Sequence, residues 1–234
     1  MAPISPPDVI TSALDWVRER VTPLSARTRV LILQHPQEQD VTLGTAPLLA
    51  ATLPKAVTVR VGLSWPSFAA CLGEDDVDPA HWVVLYPGSL KRALTPEELA
   101  SPVVLLDRAG QPLAPGARVD GVVVLDGTWS QAKTLWWRNA WMLKLGRAVL
   151  HPREPGIYGK LRKEPRREAV STLEAVAEVL VANGEPEGTR DTLRKLMRTM
   201  VQRARDARKT APKAAAPGPA TDEGDDVDEG RDEG

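Results

Sequence analysis

Residues 120–137 read DGVVVLDGTWSQAKTLWW. A run of valines and a leucine stops at Asp126, a glycine follows, and a helix-like stretch carrying tryptophans begins. A continuous apolar run, without in–out alternation, is the pattern of a strand covered on both faces of a parallel sheet. The turn after such a strand is where open α/β sheets keep their ligands. Asp126, Gly127, Thr128 and Trp129 fill that turn.

The same kind of run recurs along the chain. TRVLILQ (28–34), AVTVRVGL (56–63), HWVVLYP (81–87), PVVLLD (102–107) and RAVLH (147–151) are further predicted strands. Helices are predicted over 8–20, from about Ser130 through Trp141, over 171–184 and over about 189–208. In the third of these, Ser171 and Glu174 make a capping box, and Asn183-Gly184 is a stop signal. The last places Leu193, Leu196, Met197, Met200 and Val201 on one face, with most of its arginines off it. Strands alternating with helices predict an α/β fold: a mostly parallel sheet with helices on both faces. The organisation read from the chain is a lead-in with a helix (1–27), one folded domain (28–206) and a tail (207–234).

The bulk properties narrow the class. With 234 residues, 42% hydrophobic and 26% charged, the chain reads as a soluble globular protein. No run approaches the roughly 20 apolar residues of a membrane span, and the start lacks the basic-then-apolar pattern of a secretory signal. A single cysteine, Cys71, is incompatible with an intrachain disulfide framework or a multi-cysteine zinc site. His35, His81 and His151 are far apart in sequence. A cytoplasmic protein without a metal or a membrane partner is expected. The formal charge of −1 averages unlike parts: residues 207–234 hold four basic and eight acidic residues, leaving 26 against 23 in the body. Such a tail, without apolar periodicity, is expected to be disordered, as a solubilising appendage or an acidic strip competing with nucleic acid.

Common catalytic signatures are missing: there is no P-loop, no G-x-G-x-x-G after a strand and no G-x-S-x-G elbow. Polar clusters instead follow the strands, at QHPQE (34–38), YPGS (86–89), DGTW (126–129) and HPREPGIYGKLR (151–162). Asp126 can cap the following helix or face a cleft as a general base. Gly127 allows a close approach, and Trp129 suits either the core or stacking on a flat ring. From 133 to 168, ten basic residues, beginning at Lys133 and Arg138, outnumber Glu154, Glu164 and Glu168. Such an excess is a solvated face or a surface for phosphates.

LDGTWSQAK resembles the signature of the DTW-domain family, the tRNA-uridine aminocarboxypropyltransferases. LILQHPQE, GTAPLLA, VVLYPG and STLEAVA resemble further family segments, in the family's order, across roughly residues 28–184. The resemblance implies transfer of the 3-amino-3-carboxypropyl group of S-adenosylmethionine to N3 of a tRNA uridine, releasing methylthioadenosine. It also implies a SPOUT-like fold with a knotted cofactor site. Two departures stand out. The family's N-terminal cysteine cluster is missing, and Gly44 occupies the place of its usual asparagine, although Thr45 remains.

For that chemistry N3 must lose its proton, and Asp126 is the expected base. The sulfonium already activates the donor, so no metal is required. The resemblance places Thr45, Tyr86, Pro87, Gly127, Thr128, Trp129, Leu150, Tyr158, Ser171 and Thr172 around S-adenosylmethionine. Arg138, Arg153, Lys160, Arg162, Lys163, Arg166 and Arg167 are expected on the tRNA phosphates. The rival readings are an rRNA aminocarboxypropyltransferase, a SPOUT-type RNA methyltransferase and a non-catalytic RNA-binding module. Which uridine is modified, and the oligomeric state, stay open at this point.

Overall fold

Each of the six apolar runs forms a strand: β1 (Arg29–Gln34), β2 (Val57–Val61), β3 (Trp82–Leu85), β4 (Val103–Leu106), β5 (Gly121–Asp126) and β6 (Gly146–Leu150). They join one sheet in the order β2-β1-β5-β3-β6-β4. All neighbours are parallel except β4, which runs antiparallel to β6 at the edge. The computed structural model describes residues 22–39, 44–86, 90, 92–114, 116–117, 119–152, 154–159 and 170–210, without the side chains of 208 and 210. The predicted helix over 8–20 and residues 211–234 of the tail lie outside them.

Among the described residues six α-helices accompany the strands: α1 (Ala46–Thr52), α2 (Phe68–Leu72), α3 (Pro96–Leu99), α4 (Trp129–Arg138), α5 (Thr172–Ala182) and α6 (Glu187–Thr210). Side chains alternate across a strand, so β1 and β5 feed two apolar layers. Val30, Ile32, Val122 and Val124 meet Leu48, Leu49, Val176, Leu180, Leu193 and Met197 of α1, α5 and α6. Leu31, Leu33, Val123 and Leu125 meet Phe68, Leu135, Trp141 and Met142 on the other face. Helices therefore cover both faces. All six residues of β5 are buried, which explains why its sequence does not alternate.

Two helices differ from their predicted extents. The tryptophan-bearing helix ends at Arg138 instead of continuing through Trp141. Asn139 breaks it: its buried amide nitrogen donates to the carbonyls of Leu135 (2.8 Å) and Leu63 (3.0 Å). Its side-chain oxygen accepts from the Trp65 amide (2.9 Å) and the Trp141 indole (3.2 Å). A 3₁₀ turn, Ala140–Lys144, follows. The last helix runs on to Thr210, into the stretch read as tail, through residues with adequate helix propensity. Among the described residues no helix is long and apolar enough to cross a membrane.

Candidate active site

Asp126 closes β5 in register with Gln34, the last residue of β1. The residue is 8% exposed, and its carboxylate is tied on both oxygens. Oδ2 accepts from Gln34 Nε2 at 2.9 Å, and Oδ1 accepts from the Thr172 hydroxyl at 2.5 Å. Its backbone carbonyl accepts from the His35 amide at 3.0 Å. A carboxylate offers about four lone-pair positions, so two side-chain donors leave acceptor capacity for a third proton donor.

Asp126 does not cap the next helix. Thr128 does: its hydroxyl accepts from the Gln131 amide at 3.3 Å, while the Gln131 side chain accepts from the Thr128 amide at 2.6 Å. With capping assigned to Thr128, the buried carboxylate has no role in starting α4. Gly127 fits the same arrangement. A Cβ there would lie 2.9 Å from Gln131 Cβ, so the close approach it allows is by the chain's own Gln131.

Other predicted segments converge on Asp126. Thr45, buried at the start of α1, accepts the Leu173 amide of α5 through its hydroxyl at 3.3 Å. Ser171 and Glu174 form the predicted capping box, and the second oxygen of Glu174 accepts from the Ile157 amide at 3.1 Å. Gln131 Nε2 donates to Gln37 at 3.1 Å, linking α4 to the loop after β1. The QHPQE, GTAP, DGTW and STLE segments thus meet at the carboxyl ends of β1 and β5.

The remaining predicted residues are more spread. Tyr86, half-buried after β3, meets Trp136 edge-on at 5.3 Å, with the Arg147 guanidinium 4.9 Å above its ring. Leu150 ends β6, half-buried. Tyr158 is 1% exposed and belongs to the apolar layer under α5 and α6. Trp129 is 41% exposed at the first turn of α4, and Arg138 is exposed at its last. Pro87, Arg153, Lys160, Arg162, Lys163, Arg166 and Arg167 lie outside the described residues. The sequence places Gln34 in the QHPQE cluster without marking it as a partner of Asp126. The available signal was a polar residue at the carboxyl end of an otherwise apolar strand, the position that also marks Asp126.

The chain matches the DTW domain over residues 14–205. It belongs to the DTW-domain family. Across 167 residues it is 33% identical to a mouse (Mus musculus) protein named tRNA-uridine aminocarboxypropyltransferase 2, covering 68% of this chain and 49% of the relative. The relative of the same name from Macaca fascicularis is 30% identical over 173 residues, covering 68% and 48%. The chain thus matches about half the length of these curated relatives. No solved structure matches it.

In this DTW domain a cleft of about 640 Å³ opens beside the end of β6. Pro102, Leu150, Pro152 and Val170 give it apolar walls, and Glu174 of α5 and Arg198 of α6 are among its charged groups. Two other arginines lining it are engaged: Arg194 pairs with Glu154 (2.7 Å) and Glu178 (3.3 Å), and Arg190 lies 3.7 Å from Glu178. A smaller hollow of about 430 Å³ touches Asn183 and Gly184. Those residues follow the C-terminal end of α5, roughly 16 Å along the helix from the end that binds Asp126, so the hollow is remote from the carboxylate.

Proposed function

We infer that this protein is an S-adenosylmethionine-dependent tRNA-uridine aminocarboxypropyltransferase. The observation that carries the reading is the Asp126 carboxylate. It is buried at the carboxyl end of a central strand, held from both sides by Gln34 and Thr172, and relieved of any capping role by Thr128. The relatives' names point the same way.

S-adenosylmethionine supplies an amino-acid arm made electrophilic by the adjoining sulfonium. The uridine N3–H gives its proton to Asp126, and the N3 lone pair forms a bond to the γ-methylene as the carbon–sulfur bond breaks. The products are aminocarboxypropyl-uridine and methylthioadenosine. Gln34 and Thr172 orient the base; a fixed geometry of this kind is what converts binding into rate. Proton transfer to such a positioned group in the transition state contributes roughly 10²–10⁴-fold.

The 640 Å³ cleft supports a donor site. Its size falls in the range of about 300–1,000 Å³ usual for small-molecule pockets. Its apolar walls suit an adenine, and its carboxylates and cations suit an ammonium and a carboxylate. Leu150 on β6 lies two strands from β5, about 9.5 Å at ordinary strand spacing. Of the expected donor residues Leu150 lines this cleft; in the proposal Thr45, Tyr86, Pro87, Gly127, Thr128, Trp129, Ser171 and Thr172 complete the donor site toward Asp126, in a SPOUT-like knotted arrangement. Tyr158 supports it from within the core. No metal takes part. Arg138, Arg153, Lys160, Arg162, Lys163, Arg166 and Arg167 hold tRNA phosphates, and the enzyme works in the cytoplasm.

A methyltransferase would differ in which carbon on sulfur faces N3. Incubating tRNA with S-adenosylmethionine labelled separately in the methyl group and in the carboxyl carbon distinguishes them. Carboxyl label alone entering the tRNA is the expected result; methyl label alone, or neither, would overturn the reading.

A further inference from the structure

The DGTW turn launches a helix whose inner face is fully used. Ala132 and Leu135 enter the core, and Trp136 packs on Tyr86. Two more tryptophans stand on its outer face. Trp137 is 79% exposed and Trp129 is 41% exposed. They stand eight residues apart with Lys133 midway, so all three share one stripe of the helix. Arg138 is exposed beside Trp137.

Single exposed apolar residues are ordinary on protein surfaces. Here the surrounding charge is not. From Gly127 through Pro152 the chain holds Lys133, Arg138, Lys144 and Arg147 and no aspartate or glutamate. Exposed indoles interleaved with cations complement a ligand that offers ring faces and phosphates together. Single-stranded nucleic acid is that ligand. A membrane-inserting face would need a continuous apolar stripe, which Lys133 interrupts.

We propose that the outer face of α4 is a stacking platform for unpaired RNA bases flanking the target nucleotide. This rests on the reading that a uridine reacts at Asp126. Trp129 follows Asp126 by three residues, and Trp137 lies about 12 Å farther along the helix axis. That span exceeds one base step of about 3.4 Å, so a base stacked on Trp137 belongs to the strand leading away from the site, beyond the target nucleotide. The platform makes exposed single-stranded context part of substrate selection, beyond the phosphate contacts proposed for the basic residues.

The test compares wild type, Trp137→Ala and Trp137→Phe in binding fluorescein-labelled tRNA and a labelled single-stranded oligouridylate at fixed salt. Loss of one stacked base should weaken both by roughly five- to a hundredfold in the alanine variant, while phenylalanine retains most affinity. Binding of S-adenosylmethionine, read by calorimetry, should be unchanged. Equal RNA affinity of wild type and Trp137→Ala would overturn the platform. So would sedimentation showing a wild-type dimer that this variant dissolves, since the face would then be a subunit contact. Failure of the enzymatic reading has a different signature: weakened RNA binding by Trp137→Ala with no modified uridine from wild type leaves the platform standing.

Discussion

The Thr172 hydroxyl donates to Asp126 Oδ1 at 2.5 Å, tying the first turn of α5 to the end of β5. Residues 46 positions apart thereby share one carboxylate, with Gln34 on its other oxygen. If this bond aims the base, removing it should slow the reaction without unfolding the protein. A hydrogen bond to a charged group is worth about 1.5–3 kcal/mol, which corresponds to roughly ten- to a hundredfold in rate. Thr172→Val should therefore lower single-turnover transfer by that factor at saturating substrates, and Thr172→Ser should restore most of it. A valine variant as fast as wild type would remove Thr172 from the account.

The cap of α4 is a separate matter of stability. Thr128→Ala loses the hydroxyl that accepts the Gln131 amide and should cost about 1 kcal/mol. Urea unfolding is the check, with Thr128→Ser close to wild type. An unchanged midpoint for the alanine variant would mean that the capping box contributes nothing here.

The six strands and the two-sided sheet were readable because burial on both faces leaves continuous apolar runs, as in Val122–Leu125. The capping box of α5 was equally plain from Ser171 and Glu174. What local pattern does not carry is partnership across the chain. Nothing near Asp126 names Gln34 or Thr172 as its donors, because strand order brings them together. The helix break at Asn139 was hidden for the same reason: an asparagine in an apolar stretch stops a helix here only because Leu63 and Trp65 accept and donate to it. That Thr128 and not Asp126 caps α4 also needed coordinates, since both residues stand just before the helix. Strand direction at β4 was invisible too, because an antiparallel edge strand shows the same apolar run.

Cys71 is fully buried, and burial pushes its thiol up to about 12 despite the opposing charge of Arg60. The thiolate is the reactive form, so the native protein should resist a maleimide at neutral pH and react on unfolding. Mass spectrometry after brief labelling, with and without urea, checks this. Rapid labelling of the native protein would contradict the packing of α2.

Glu98, in the capping box of α3, is held down at about 2, chiefly by the Arg92 guanidinium and then by the Thr95 amide. Its folded-state value lies below its unfolded one, so the stabilisation is present above the unfolded value near 4.5 and is lost as pH falls toward 2. Glu98→Gln should therefore melt below wild type at pH 6, and the gap should close in acid. A gap that widened on acidification would have the wrong sign.

The central claim is that Asp126 takes the N3 proton of a tRNA uridine. The most direct test is nucleoside mass spectrometry of tRNA incubated with S-adenosylmethionine and either wild type or Asp126→Asn, the latter verified as folded and tRNA-binding. The account predicts aminocarboxypropyl-uridine from wild type and a rate at least about a hundredfold lower from the variant. Comparable product from Asp126→Asn, or none from wild type across several tRNAs, would contradict it.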